Sequence, residues 1–297
     1  MAERLDVLKT YKLFIDGKFP RSESGRALMV ADASGKPVAH ICHASRKDLR
    51  DAVEAARKAR PGWAGATSYN RGQILYRMAE MIEGKRAEFV EALALGAAGA
   101  KPSRGKARGL TPDAEVSAAI DRLVAFAGWA DKFAQVLGCQ NPVAGPFYNF
   151  TVPDATGVVA IVAPDEPGLL GLVSLIAPAV CAGNTAVVVA GDRRPIAASV
   201  LGEVCATSDV PAGVVNILTG QRAELVPFVA GHRDIDAVVG ANLPTDVASA
   251  LRAGSAENVK RVTIHTVSDF SDAQACTGPW WIEPTVEFKT IWHPSSV

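Results

Sequence analysis

Apolar positions along this chain change period from segment to segment, and the changes mark out alternating strands and helices. Val158 to Ala163 is a short, uncharged, β-branched run, which predicts a strand buried on both faces. Leu169 to Cys181 is apolar all round, which predicts a buried helix with Pro167 at its first helical position, where a missing N–H costs nothing. Ala182-Gly183-Asn184 stops that helix, and Thr185 to Val189 is a second β-branched run. Together they predict one right-handed parallel crossover of a doubly wound sheet.

The rest of the pattern extends this α/β reading. Leu13 to Ala39 holds short strand-like runs broken by Asp16-Gly17, Ser24-Gly25 and Ser34-Gly35, the punctuation of edge hairpins. Ser45, with Asp48 three residues on, caps a helix that carries Leu49, Val53 and Ala56 on one face up to Arg60, ahead of Pro61-Gly62-Trp63. Ile74, Leu75, Met78 and Ile82 mark a second helix; Val116, Ile120, Leu123 and Ala127 mark a third that runs on towards Phe133. Gly96 to Thr111 is a loop whose cations face solvent, and Gln140 to Pro153, with Phe147, Tyr148, Phe150 and Val152, is an edge strand or hairpin arm. Helices over Ile196 to Thr207, Leu225 to Val229 and Asp246 to Ala253 alternate with strands over Val214 to Leu218, Ala237 to Val239 and Arg261 to Thr266. Ser268 to Pro279 is polar and loop-like. Glu283 to Trp292 then alternates Val286, Phe288, Thr290 and Trp292 against Glu287 and Lys289, a terminal strand whose partner must be distant in sequence or on another chain.

Charge and cysteine usage narrow the function classes. Lys plus Arg and Asp plus Glu number 31 each in 297 residues, so no net field attracts nucleic acid or an anionic membrane. The most apolar span, around Leu169 to Ala182, is too short and too interrupted by Gly171 and Pro178 to cross a bilayer. Met1 to Thr10 is polar and of mixed charge, unlike a secretory signal. Cysteines 42, 139, 181, 205 and 276 are scattered, and neither they nor histidines 40, 43, 232, 265 and 293 form a metal-binding set. A reducing, cytoplasmic location without a metal is expected. The turn after Val162 could present helix N–H groups to a phosphate, but it lacks GxGxxG and carries Asp165 and Glu166. A dinucleotide site and a plain scaffold crossover both remain open there.

Seven short motifs then fall in the order seen in one family. Phe14-Ile15-Asp16-Gly17, Ala55-Ala56-Arg57 with Pro61-Gly62-Trp63, Ala127 to Lys132, Gly157-Val158-Val159, Ala182-Gly183-Asn184-Thr185, Pro211 to Asn216 and Lys260-Arg261-Val262-Thr263 resemble the aldehyde dehydrogenase superfamily from about Leu13 to Thr266. The resemblance implies a Rossmann-like doubly wound parallel sheet of the cofactor-domain type, over 1–139 and 154–267. It also implies a small β bridging element for oligomerisation over 140–153 and 280–297. The family's catalytic domain follows the segment that ends here at Thr266 and is absent, because Thr285 to Ile291 resembles the family's C-terminal bridging strand.

Position by position, the resemblance implies loss of chemistry. His265 stands at the general-base glutamate and Asp165 at the oxyanion-holding asparagine. Cys276, in Gln274-Ala275-Cys276-Thr277, lacks the flanking pattern of the nucleophile, so no catalytic residue is assigned. On the cofactor side, Ala163 and Pro164 lie at the first turn, Val189 replaces the ribose-directed lysine and Asp192 the nearby glutamate. Asp246 enters the degraded second phosphate motif, leaving Gly220 and Asp192 as the surviving contacts and NAD(P) binding weak or lost. The branch most resembled, through Pro164-Asp165-Glu166 and Ile291-Trp292-His293-Pro294, is the shortened noncatalytic second half of the family 16 aldehyde dehydrogenases. With its own Met1 the chain would be a separate subunit, or else one half of a longer protein.

The resulting expectation is a noncatalytic subunit that forms a homodimer or joins a full-length NAD-dependent aldehyde dehydrogenase. Two alternatives stay open: an active oxidoreductase within a complex, its nucleophile supplied in trans or by Cys276, and a nucleotide-binding module without turnover.

Overall fold

The computed structural model of the protein describes residues 7–32, 34–97 and 110–295; most of the Gly96 to Thr111 link lies outside them. Strands β1 (Lys9–Tyr11), β2 (Ala27–Ala31), β3 (Pro37–Cys42) and β4 (Gly96–Ala97) form a four-stranded sheet, with β2 and β3 as the hairpin expected about Ser34-Gly35. Phe14 also exchanges backbone hydrogen bonds with Ile217, so this N-terminal region adds to an edge of the central sheet. Helix α1 (Arg46–Ala64) begins at Ser45 with the reciprocal Ser45/Asp48 capping box. It does not stop at Arg60. Pro61 sits inside its last turn, which holds because Trp63 is buried, its Nε1 donating to the Val180 carbonyl at 3.0 Å, and because Gly65 N–H closes onto Pro61 O.

Helices α2 (Ser68–Gly84), α3 (Arg86–Ala94) and α4 (Pro112–Trp129) follow, then the short α5 (Phe133–Leu137). α3 is absent from the hydrophobic pattern because only Phe89, Ala92 and Leu93 of its nine residues are buried. α4 is turned slightly from the expected stripe. Its buried line is Val116, Ala119, Leu123 and Phe126, together with the charged Glu115 and Arg122, and it ends at Trp129 before reaching Phe133.

β5 (Cys139–Asn141) and β6 (Phe147–Ala155) make a hairpin that leads into the core. β7 (Val158–Val162), α6 (Leu170–Cys181) and β8 (Thr185–Val189) are the predicted crossover, buried at every position. Pro167 lies ahead of α6 rather than at its first position, and its carbonyl accepts the Gly171 N–H. α7 (Pro195–Thr207), β9 (Val215–Leu218), α8 (Arg222–Gly231), β10 (Ala237–Ala241), α9 (Thr245–Ala256) and β11 (Arg261–His265) complete the alternation. The sheet order is β11-β10-β7-β8-β9, all parallel, so the direction of winding reverses between β7 and β10. Its two faces divide the core as a period of two requires: Val159 and Ile161 pack with α2, α4, α6 and α7, whereas Val158, Ala160 and Val162 pack with α1, α8 and α9.

Residues 266–285 are more ordered than the polar composition of Ser268 to Pro279 suggests. They contain α10 (Ala273–Cys276), capped by Asp272, and two 3-10 turns, Pro279–Trp281 and Glu283–Thr285. Phe270, Cys276, Trp281 and Ile282 enter the main core. β12 (Val286–Pro294) then pairs antiparallel with β6 over its whole length, giving the order β12-β6-β5. The distant partner of the terminal strand is therefore in the same chain.

Asn184 ties these pieces together. Fully buried, it accepts from Gly157 N–H at 2.8 Å and donates to the Ala179 and Thr285 carbonyls at 3.0 and 2.8 Å, joining β7, α6 and the start of β12. Its replacement by alanine leaves the buried Gly157 N–H unpaired and takes one of two donors from the Ala179 and Thr285 carbonyls, which keep the Asn184 and Thr156 N–H groups, and should lower stability by about 2 kcal/mol, measurable by urea unfolding. A change below about 1 kcal/mol would remove this junction from the account.

Candidate functional site

In a doubly wound sheet, ligands collect outside the carboxyl ends of the strands near the reversal of winding. Here that region is occupied by the chain itself. Arg222, whose side chain is 4% exposed, opens α8 just after β9 and reaches over the end of β7: Nη1 donates to the Ala163 carbonyl at 2.8 Å and Nη2 to Asp165 Oδ2 at 3.0 Å. Asp165 Oδ1 accepts the Asp192 N–H, and Asp192 Oδ1 accepts the Arg222 N–H, each at 2.9 Å. The loops after β7, β8 and β9 are thus closed into one ring. They also touch directly, since a methyl group on Gly191 would fall 2.3 Å from the Pro164 carbonyl oxygen. Burial raises the Asp192 carboxyl pKa, and the Arg222 N–H and guanidinium only partly oppose the shift.

The other first-turn positions are engaged as well. Val189 turns its side chain into the core beneath α1 and α8. Gly220, at φ +139°, lacks a side chain because His43 lies against it, a Cβ there being 2.7 Å from His43 Cδ2. The N–H groups at the start of α6, the expected phosphate donors, both go to one buried carboxylate: Leu169 N and Leu170 N donate to Glu115 Oε1 at 2.6 and 3.2 Å. Burial raises the Glu115 pKa against the pull of these two donors. Across the reversal, the Leu243 side chain covers Gly240, and Asp246 stands in the first turn of α9.

His265, at the end of β11, stacks on Trp281 with ring centroids 4.3 Å apart. Its Nε2 is buried without a hydrogen bond among the described residues, and burial lowers its pKa, so the ring is neutral at neutral pH. Trp281 is held by donation from Nε1 to the Ala275 carbonyl, and Arg122, 3% exposed, donates to Phe270 O at 2.7 Å and to Ser174 Oγ. Cys276 is 1% exposed with its pKa raised by burial, the reverse of what an attacking thiolate needs. The histidine stack carries its own prediction. An imidazole whose pKa is lower folded than unfolded stabilises the fold above about pH 6.5, and this contribution is lost as pH falls towards the lowered value. His265→Phe keeps the stack and should flatten the decline in stability as pH falls below about 6.5, by up to 1.4 kcal/mol per pH unit. Parallel urea series for the two proteins would contradict this if their slopes agreed.

The model of the aldehyde dehydrogenase family matches residues 19–267, most of the chain. The protein belongs to that family. It is 32% identical over 262 residues to retinal dehydrogenase 2 of Mus musculus, covering 86% of this chain and 48% of that protein. It is 30% identical over 258 residues to aldehyde dehydrogenase, cytosolic 1 of Elephantulus edwardii, covering 85% and 49%. The NAD+ complex structure of the aldehyde dehydrogenase from Bacillus cereus superposes with a TM-score of 0.77 at 27% identity, covering 86% of this chain and 51% of that one. The chain thus spans about half the length of these members.

Several of the family motifs prove to be joints. Asp16 N–H binds Asn216 Oδ1, Asn216 Nδ2 holds the Ala186 and Gly213 carbonyls, and Lys260 Nζ holds the last carbonyls around α8 at Val229 and His232. At the crevice, the residues present do not fit a dinucleotide. Its phosphates would meet the Asp165 and Asp192 carboxylates, and the Arg222 guanidinium that could offset them is spent on Asp165 and on the Ala163 carbonyl. Arg222, Glu115 and Arg122 are the residues the sequence alone does not point out. One signal was available: Glu115 and Arg122 lie seven apart on an otherwise apolar helix stripe, where a charge requires a buried partner. Among the described residues, no helix is long and apolar enough to cross a membrane, and no three His, Cys, Asp or Glu side chains are placed to hold a metal ion.

Proposed function

We propose that this chain is a noncatalytic member of the aldehyde dehydrogenase family, most like the shortened second half of the family 16 enzymes. Its role is to assemble, with itself or with a full-length NAD-dependent aldehyde dehydrogenase. In this reading 1–139 and 154–267 form the Rossmann-like body, 140–153 and 280–297 form the bridging element, and the catalytic domain is missing between them. The observation that carries it is the passage from β11 to β12. Residues 266–285 make that passage directly, fill it with Phe270, Cys276, Trp281 and Ile282, and press Trp281 onto the ring at the general-base position. At this place the Cys276 thiol is buried, and the His265 Nε2 is buried under Trp281. The bridging sheet supports the assembly role, because β6 and β12 leave Phe147, Tyr148, Phe288, Ile291 and Trp292 exposed.

The test combines an assay with a mass measurement. The purified chain should form no NADH from aldehydes, and native mass spectrometry should find it associated with itself or with a catalytic family member. Aldehyde-dependent NADH formation that disappears in Cys276→Ala would replace this proposal with the active-enzyme alternative. A strict monomer that ignores the catalytic member would remove the assembly role.

A further inference from the structure

Residues 268–284 are held to the rest of the protein by backbone at their two ends and by side chains alone in between. At the near end Asn242 clamps Val267: its Oδ1 accepts the Val267 N–H at 2.9 Å and its Nδ2 donates to the Val267 carbonyl at 2.8 Å. At the far end the Thr285 carbonyl accepts the Thr156 N–H at 3.1 Å and Asn184 Nδ2 at 2.8 Å. Between these anchors, the backbone hydrogen bonds among the described residues all close within the segment, as when Asp272 N–H turns onto Asp269, Cys276 N–H onto Asp272, and Ile282 N–H onto Pro279. The middle is fastened by the Arg122 guanidinium on the Phe270 carbonyl, by Trp129 Nε1 on the Thr277 carbonyl, and by burial of Phe270, Cys276, Trp281 and Ile282. Such a segment can leave the body without breaking a backbone hydrogen bond of the central sheet or its helices.

One titratable group sits at this fastening. His265 ends β11, just ahead of the Asn242 clamp, and Trp281 lies flat on its ring, with 4.3 Å between centroids and 15° between planes. The ring's Nε2 is buried with no hydrogen-bond partner among the described residues. β10, beside β11, carries no charged residue. The charged groups of the other neighbouring elements are Asp246 and Arg252 of α9, Arg122 of α4, and Asp269, Asp272 and Glu283 of the segment. None of them acts on the ring, and burial alone holds its pKa below the ordinary value. Asp269 and Asp272 are turned inward onto the N–H groups of Ser271 and Ala275. A proton on Nε2 therefore places a cation under Trp281 that only water can solvate, and water reaches it when the tryptophan lifts.

We propose that residues 266–285 are a strap that opens as one unit when His265 takes up a proton, swinging on the Val267 and Thr285 anchors while the parallel sheet and its helices stay folded. Opening uncovers Phe270, Trp281 and Ile282 together with the α5 and α6 surface beneath them, so acid exposes apolar area that neutral conditions keep covered. The open form binds one more proton than the closed form. Its population should rise up to about tenfold for each pH unit below about 6.5, until the closed ring itself titrates.

Amide exchange read by mass spectrometry, corrected for its intrinsic pH dependence, follows peptides of 268–284 beside peptides of the Val158–Val189 crossover. Between about pH 7 and pH 5 the strap should lose protection at least about tenfold while the crossover keeps its own. In His265→Phe, which retains a flat ring against Trp281, strap protection should be the same at both pH values. Should that variant fail to fold, thiol labelling of the wild-type chain replaces it, using dithiodipyridine, which reacts in acid. Labelling of Cys276 relative to Cys181 and Cys205, the buried thiols of the body, should rise at least about tenfold over the same interval. Strap protection that ignores pH, or that falls equally in His265→Phe, overturns the proposal. So does loss of strap and crossover together, or labelling of the three thiols in step, because acid then unfolds the whole chain. Each of these results leaves the assembly reading standing, since that reading is tested by mass and aldehyde turnover.

Discussion

Arg222→Met should lower the free energy of unfolding by about 2–4 kcal/mol at pH 7, one of the two largest single-residue losses expected in this protein. The guanidinium is buried and holds the Ala163 carbonyl and Asp165, while its backbone N–H holds Asp192. Methionine keeps much of the volume and none of the charge. Asp165 and Asp192 retain partial contact with water, which keeps the loss below that of a fully enclosed ion pair. The pH dependence gives a second check. Burial already raises the Asp192 carboxyl pKa and the Arg222 guanidinium opposes that rise, so removing the cation raises it further in the folded variant. A raised folded pKa contributes stability that is present below the unfolded value, near 4, and lost as pH rises through the folded value. The deficit of Arg222→Met relative to the wild type should therefore shrink as pH falls from 7 to 4, and a deficit independent of pH would show that the ring is not electrostatic. Nucleotide supplies a third. With the crevice closed by this ring, about millimolar NAD should stabilise the wild type by less than about 0.4 kcal/mol. A larger shift would mean that the loops after β7, β8 and β9 open to admit it.

Trp281→Ala should cost about 3–4 kcal/mol, because it deletes the buried one of the two tryptophan side chains of residues 266–285 from a position where Phe270, the His265 ring and the main core close around it. It should also return the His265 pKa towards its ordinary value by admitting water to a ring that burial now keeps neutral. Urea unfolding and histidine proton resonances read the two effects separately. Little change in either would mean that the passage from β11 to β12 is loosely held, and the argument that it replaces a catalytic domain would lose its main support.

The body of the fold was legible because its signals are local. The crossover from Val158 to Val189 declares itself by two β-branched runs around an apolar helix, and all three elements form as expected. Ser45 and Asp48 predict a helix start, and the capping box forms. Local signals failed where a distant contact outweighed them. Pro61 reads as a stop, yet Trp63 is held by Val180, 117 residues away, and the helix continues. Ser268 to Pro279 reads as polar and loop-like, yet Arg122 and Trp129 donate to the carbonyls of Phe270 and Thr277 and draw the segment onto the core.

The candidate site was less legible for the same reason. Position by position, Asp165, Asp192 and Gly220 could be set beside the family's functional residues, but their present contacts come from residues far along the chain. Arg222 lies 57 residues from Asp165, and Glu115 lies 54 from Leu169. An acid in a turn looks like a hindrance to phosphate until a buried guanidinium is seen to need it.

The amino-acid sequence by itself determined the alternation of strands and helices, the apolar crossover and the family, because periodicity, capping and short motifs act over a few residues and survive without knowledge of what lies opposite. The tertiary structure alone decided that the crevice is closed by Arg222, that the terminal strand lies on β6, and that residues 266–285 are fastened onto the core. Each of these is a pairing between groups far apart in the chain, and hydrogen bonds and charge pairs of that kind are set by position in space, which no local pattern encodes.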